Sequence, residues 1–191
     1  FDMTDVLDHP EVRTPMMLYL FHRIAQRVDG RRLVLDIDEF WKVLGDAAFT
    51  DLAQDGLKTW RKQNALMVFG TQSPADALRS PIAHTILEQC ATKIFLPNAH
   101  GQARDYVEGF GLSEEEFRLI RDELTPESHR FLVKQGHDSV VVELDLKGRD
   151  DALAVLSGRS ETVALLDRLR AETGDDYADW RGPFHSLRRL T

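Results

Sequence analysis

LVLDIDEFW, residues 33–41, is the segment that decides the fold class of this 191-residue chain. Its apolar run ends in two adjacent acids, Asp38 and Glu39. That pattern is typical of a buried parallel strand that delivers two carboxylates to the edge of a sheet. Asp36 departs from the pattern, because such strands are usually apolar at that position. Ligands of open parallel sheets bind outside the carboxyl ends of the strands, so the acidic pair is predicted to lie at a ligand site.

Strands and helices alternate on both sides of this segment. Apolar residues four apart predict a helix over residues 10–28, and the run ALMVFG predicts a second buried strand at residues 65–70. The other elements predicted in the first hundred residues are strands at 32–37 and 93–96 and helices at 40–44, 49–64 and 80–92. This alternation predicts an α/β domain with a mainly parallel sheet.

The pattern changes after residue 100. Ser113 and Glu116 form a capping-box sequence for a helix that ends near Glu123. The remaining predicted elements are a β-hairpin of residues 130–135 and 139–144, a helix over 160–173 and a polar, partly mobile tail over 174–191.

Asp38 and Glu39 are the acids expected of half of a nucleotide-hydrolysing site. Mg²⁺ prefers hard oxygen ligands and keeps several waters, so a single carboxylate, Asp38, is enough for it. Glu39 would then orient or deprotonate the water that attacks the γ-phosphate. The alternative is that the pair caps the following helix, and the apolar run in front favours the catalytic interpretation. No G-x-x-x-x-G-K-[ST] phosphate loop occurs in the 191 residues.

Gln72 follows the second buried strand as the acids follow the first. Neighbouring parallel strands lie about 4.8 Å apart, so a long amide here could reach the same phosphate or water. A glutamine that orients the attacking water is an established device in phosphate-cleaving proteins. The alternative is a turn residue whose amide caps the loop at Ser73, and the spacing from Asp38 and Glu39 favours the catalytic role.

Arg61 and Lys62 end the helix between the two strands. One of them could act as an arginine finger, in the same subunit or in a neighbour. The alternative is favourable placement of cations at a helix C-terminus, which is the commoner case. Arg159 is a weaker candidate of the same kind.

Composition narrows the class of protein. The formal charge is −8, from 24 basic and 32 acidic residues, so strong nucleic-acid binding is not expected. Cys90 is the only cysteine and is predicted to be a core residue, and the seven histidines lack the spacing of metal ligands. No apolar window has the length of about 20 residues that a membrane helix needs, and no leader is evident. Because Phe1 is not an initiator Met, we expect a piece of a longer polypeptide.

Several motifs together resemble the CagE/TrbE/VirB ATPases of type IV secretion and conjugation systems. The matching stretches are FDMT (1–4), IDEFWK (37–42), RKQN (61–64), GTQSP (70–74), ALRSP (77–81), KIFLPN (93–98) and LVKQG (132–136). The resemblance spans nearly the whole chain. It assigns the Walker B role to Asp38 and Glu39, and it matches the family's Arg-Lys and Thr-Gln motifs to Arg61-Lys62 and Thr71-Gln72.

The resemblance implies the C-terminal part of a RecA-like P-loop NTPase core, with the sheet and Walker B acids in residues 1–100 and a β-hairpin and helices in 101–191. It further implies a parent that uses ATP and Mg²⁺, forms a homo-oligomeric hexamer and contacts other secretion components. The parent would associate peripherally with the cytoplasmic face of the bacterial inner membrane. Without a phosphate loop, the isolated chain is expected to bind ATP weakly or not at all. An exposed apolar sheet edge is expected to promote self-association.

Two other classes stay open at this point. In one, the chain is a non-catalytic docking module of the secretion machinery, and Asp38 and Glu39 are structural. In the other, Asp36, Asp38 and Glu39 form a Mg²⁺-dependent nuclease, since alternate strand residues share a face. Two-metal sites need further convergent carboxylates, and the sequence offers no convincing set.

Overall fold

The computed structural model describes Val6 and residues 9–40 and 47–188. Residues 41–44 of the helix predicted over 40–44 lie outside these residues. The chain forms two compact units, Phe1–Glu143 and Leu144–Thr191. The predicted change of pattern near residue 100 therefore falls inside the first unit.

The first unit begins with the predicted alternation of helices and strands. Its elements are α1 (Pro10–Ala25), β1 (Leu33–Ile37), α2 (Ala47–Thr59), a 3₁₀ helix (Trp60–Gln63) and β2 (Ala65–Phe69). Strands β1 and β2 pair in parallel, from Leu33 opposite Ala65 to Ile37 opposite Phe69. At the amino ends of the strands, Asn64 takes a left-handed conformation, and its Nδ2 donates to the Gly30 carbonyl at 2.8 Å.

The β1–β2 pair buries one face and exposes the other. Ile37 and Phe69 pack against a core formed with the helices. Its buried members are Met17, Phe21, Phe40, Ala53, Ala77, Ile82 and Ile86. On the opposite face Val34, Leu66 and Val68 are exposed by 64%, 59% and 42%. The strands therefore show the alternation of a half-covered sheet rather than two buried faces.

Two short helices follow β2; the second is a shortened form of the helix predicted over residues 80–92, and the first was not predicted. They are α3 (Pro74–Arg79) and α4 (Ala83–Gln89), followed by β3 (Thr92–Phe95). Ser73 caps α3 by accepting from the Asp76 N–H, and Pro74 takes the first helical position. Ser80 is extended, as expected before a proline, and separates the two helices.

The third predicted strand belongs to a second sheet. Strands β3, β4 (Arg130–Gln135) and β5 (Asp138–Glu143) form an antiparallel sheet in that order. The hairpin β4–β5 is confirmed, with Gly136 at φ +62° in its turn. Pairing of Phe95 with Leu132 brings both side chains into a second core. That core also contains Tyr106, Leu112, Phe117 and Ile120.

The helical segments between β3 and β4 carry the predicted capping box. They are a π-helical turn (Arg104–Gly109), α5 (Glu114–Arg118), a second π-helical turn (Leu119–Glu123) and a 3₁₀ turn (Pro126–Ser128). Ser113 Oγ accepts from the Glu116 N–H at 3.1 Å, and Glu116 Oε2 accepts from the Ser113 N–H at 2.7 Å. The predicted end of this helix at Glu123 is also confirmed.

The second unit consists of three helices, α6 (Asp150–Leu156), α7 (Ser160–Thr173) and α8 (Tyr177–Leu187). Helix α7 was predicted, whereas α8 lies in the stretch that was interpreted as a polar tail. Asp176 caps α8 by accepting from the Ala178 N–H, and Trp180 and Phe184 pack with Leu169. Among the helices of the described residues, none combines the length and hydrophobicity that a bilayer crossing requires.

Candidate functional site

Asp38 and Glu39 lie at the carboxyl end of β1, as the sequence predicts. Asp38 is exposed and Glu39 is half-buried. Asp38 Oδ1 accepts a hydrogen bond from the Glu39 N–H at 2.9 Å. The first acid therefore fixes the start of the turn that carries the second.

The turn after Asp38 is held in a conformation that few residues adopt. Glu39 has φ +49°, in the left-handed region that disfavours side chains with a Cβ. Phe40, next in the chain, is only 2% exposed, and its ring meets that of Phe69 edge-on at 5.0 Å. A buried anchor therefore keeps Glu39 in a costly backbone conformation, which is common at functional sites.

Gly70 joins the ends of the two parallel strands. Its N–H donates to the Ile37 carbonyl at 2.9 Å, and its own carbonyl accepts from the Phe40 N–H at 3.3 Å. These bonds bracket Asp38 and Glu39 on both sides. The acidic pair is thus attached to β2 as well as to β1.

Gln72 lies at the same edge of the sheet, two residues beyond Gly70, and is exposed. Thr71 Oγ1 accepts from the Ser73 N–H at 3.1 Å and donates to the Ser73 carbonyl at 3.2 Å. The hydroxyls of Thr71 and Ser73 therefore make the capping contacts of this loop, a role that the alternative interpretation gave to the Gln72 amide.

Arg61 and Lys62 lie at the opposite edge. Both are exposed in the 3₁₀ helix that precedes β2, at the amino ends of the strands. A five-residue strand spans about 16 Å, so Arg61 does not lie beside Asp38 of its own chain. Within this chain, Arg61 is therefore separated from the acidic pair by the length of β2. Arg159 belongs to the second unit, immediately before α7.

The residues at the carboxyl ends of β1 and β2 suit a magnesium ion that is held mainly by phosphates and water. In the described part of the chain, no three His, Cys, Asp or Glu side chains converge on a possible metal position. Asp36, Asp38 and Glu39 therefore do not form the cluster that the nuclease hypothesis needs. A single exposed carboxylate at Asp38 fits Mg²⁺, which is usually bound through one or two carboxylates plus substrate phosphates.

Cys90 packs against the first core, in agreement with its predicted role. Burial raises the pKa of its thiol, and the nearby Lys93 cation only partly opposes this. A thiol with a raised pKa is a poor nucleophile at neutral pH.

Gly70 is the site residue that sequence reasoning missed. Its signal was available, because a glycine directly after a buried strand often marks a close approach of two backbones. The chain segment that it approaches became evident only from the strand register, which sets Ile37 opposite Phe69.

Comparisons with known proteins identify relatives of this chain. No protein-family model matches the chain. It is 55% identical over 188 residues to "Type IV secretion system protein virB4" of Bartonella henselae, covering 98% of this chain and 24% of that protein. The match to the protein of the same name from Brucella abortus is 46% over 189 residues, covering 99% and 23%. The chain belongs to the VirB4 family. It corresponds to the C-terminal region of the family's members.

A solved structure supports the fold. The structure of VirB4 of Thermoanaerobacter pseudethanolicus superimposes with a TM-score of 0.61 at 18% identity, covering 78% of this chain and 42% of that one. The predicted α/β fold class is thereby confirmed as the fold of VirB4. Since the chain spans about a quarter of the length of its curated relatives, it represents one region of such a protein.

Proposed function

We propose that this VirB4 region supplies the Walker B half of an ATPase site in a type IV secretion protein. One observation carries the proposal: Asp38, Glu39 and Gln72 all follow the carboxyl ends of two paired parallel strands, and Gly70 joins those ends. Open parallel sheets bind their ligands at that edge.

Each residue has a distinct part in the proposed hydrolysis. Asp38 would hold Mg²⁺, which neutralises charge on the transferred phosphoryl group when it is bound. The Glu39 carboxylate would orient the attacking water and accept its proton, and the Gln72 amide would hold that water or a phosphate oxygen. The phosphate-binding loop is not among these 191 residues, so we assign it to another part of the parent.

Arg61 is proposed to act on the site of a neighbouring subunit. Arg61 is exposed at the sheet edge away from Asp38, where it can face an adjacent protomer. This role needs an oligomer, and we propose the hexamer that the family resemblance implies. The oligomer would work at the cytoplasmic face of the inner membrane, beside other secretion components.

The deciding experiment is Glu39→Gln in a full-length VirB4 protein carrying this region. The amide keeps the size of the side chain but cannot accept a proton, so hydrolysis should fall at least about 100-fold while ATP still binds. Glu172→Gln is the matched control, because Glu172 is exposed on α7 in the second unit. Hydrolysis that survives Glu39→Gln at the level of the control would exclude the assigned role.

A docking module is the second candidate function. It is favoured by the uncovered face of the β1–β2 pair, where Val34, Leu66 and Val68 are exposed. Exposed apolar patches of this kind often mark interaction surfaces. Secretion assays with an Asp38→Ala parent separate the two functions, because full secretion would favour docking and loss of secretion would favour the motor.

A further inference from the structure

Gly70 is a glycine for a reason other than backbone freedom. Its φ lies outside the left-handed region, so a residue with a side chain could adopt its conformation. A Cβ at this position, however, would lie 2.8 Å from Asp38 Oδ1, with Asp38 Cα at 3.5 Å and Cγ at 3.7 Å. The volume of a side chain at Gly70 is therefore already taken by the Asp38 carboxylate.

Gly70 cannot easily move away from Asp38. Its N–H is bound to Ile37, and its carbonyl accepts from Phe40, whose side chain is buried. A shift of the Gly70 backbone would break these bonds and disturb the ring contact of Phe40 with Phe69. A methyl group at residue 70 would therefore displace the Asp38 carboxylate, which would lose its hydrogen bond to the Glu39 N–H.

We propose that Gly70 is a positioning residue for the acidic pair: the missing side chain reserves the space in which the Asp38 carboxylate stays bound to the Glu39 N–H. The structural part of the proposal concerns Gly70, Asp38 and Glu39 alone. Its consequence for catalysis rests on the proposed ATPase function.

A double-mutant cycle on the purified chain tests the structural part. Gly70→Ala should lower the denaturant midpoint of unfolding when Asp38 is present. In the Asp38→Ala background this fall in the midpoint should vanish or reverse. An alanine at residue 70 restricts the unfolded chain, and it no longer meets a carboxylate at residue 38. Gly158→Ala is the control, since a Cβ there has no atom within 4 Å, and its effect should be equal in both backgrounds.

The outcomes of the cycle are distinct. If Gly70→Ala lowers the unfolding midpoint equally in both backgrounds, or lowers it in neither, the proposal is overturned. If the Gly70→Ala chain does not fold, recovery of folding by the added Asp38→Ala change supports the proposal, and failure of the double variant overturns it.

The catalytic part is tested in a full-length VirB4 protein carrying this region. Gly70→Ala should raise the Mg²⁺ concentration needed for half-maximal ATP hydrolysis at least 5-fold, whereas Gly158→Ala should leave it unchanged. An unchanged Mg²⁺ requirement in the Gly70→Ala protein would overturn this part. If the Glu39→Gln experiment instead excludes the ATPase function, the unfolding cycle still decides whether Gly70 positions Asp38.

Discussion

Lys134 Nζ donates to both carboxylate oxygens of Glu116, at 2.8 Å and 2.9 Å, and the two side chains are only 13% and 11% exposed. The same carboxylate accepts the Ser113 N–H of the capping box. Glu116 therefore ties helix α5 to strand β4 through a nearly buried ion pair. Such pairs add little net stability compared with an apolar contact, but removing one partner leaves a buried charge uncompensated.

We predict that Lys134→Met destabilises the chain by roughly 3 kcal/mol, since Glu116 would stay charged without its partner. Arg130→Met is the matched control on the same strand. Its partner Glu143 lies at 2.9 Å, but the two side chains are 56% and 54% exposed. An exposed pair is worth less than about 1 kcal/mol. Denaturant unfolding measures both variants, and equal losses would contradict the prediction.

The same pair makes stability depend on pH. Burial alone would raise the pKa of Glu116, but hydrogen bonds from Lys134, Ser113 and Ser139 outweigh burial and hold the pKa below its ordinary value of 4.5. The unfolded state then binds more protons near that pH, so this contribution is complete above pH 4.5 and is lost as the pH falls below it.

Glu116→Gln should therefore flatten the stability profile at acid pH. We expect the free energy of unfolding of the unmodified chain to fall more steeply than that of the variant between about pH 5 and about pH 3. Chemical unfolding at a series of pH values gives both profiles. Parallel profiles would show that Glu116 has the same pKa in the folded and unfolded states.

Ser113→Ala should cost about 1 kcal/mol, because the Glu116 N–H loses the hydroxyl that caps helix α5. Ser160→Ala serves as the control, since Ser160 is the first residue of α7 and its helix has no side-chain cap. Thermal or denaturant unfolding compares the two variants. If Ser160→Ala lowers the free energy of unfolding as much as Ser113→Ala does, the effect comes from helix propensity rather than from capping.

The neighbouring-subunit role of Arg61 predicts complementation. Full-length protein with Arg61→Ala and full-length protein with Glu39→Gln should each be inactive. Their mixture should regain part of the hydrolysis, because some interfaces then combine an intact Glu39 with an intact Arg61. ATPase assays of mixed and unmixed samples measure this. A mixture that is no more active than its components would count against action across the interface.

Local sequence signals predicted most of the elements of the first unit, including the two strands that carry the site. The runs at β1 and β2, the turn at Gly136 and the capping box of Ser113 and Glu116 each depend on residues close in sequence. The placement of Asp38, Glu39 and Gln72 at one edge followed from the parallel pairing of the strands. Their convergence on a nucleotide stays a prediction.

The features that the sequence did not predict depend on contacts between separate segments of the chain. Nothing near β3 indicates that it pairs with β4, some 40 residues later, rather than with the parallel strands. Helix α8 was missed because its apolar residues are few, although Trp180 and Phe184 share a face that Leu169 covers. Gly70 itself suggested a close approach of two backbones, but its contact with Asp38 joins two strands and could not be predicted from either one alone.

The positive φ of Glu39 places the stability of the chain and its proposed catalytic role in conflict. For an L-residue other than glycine or asparagine, this backbone conformation costs about 1–2 kcal/mol. Laboratory evolution that rewards only heat resistance should therefore drift toward Gly or Asn at this position and discard the acid. Bacteria selected for secretion should keep Glu39. The residue that each selection retains at this position would therefore show whether the strained turn serves catalysis.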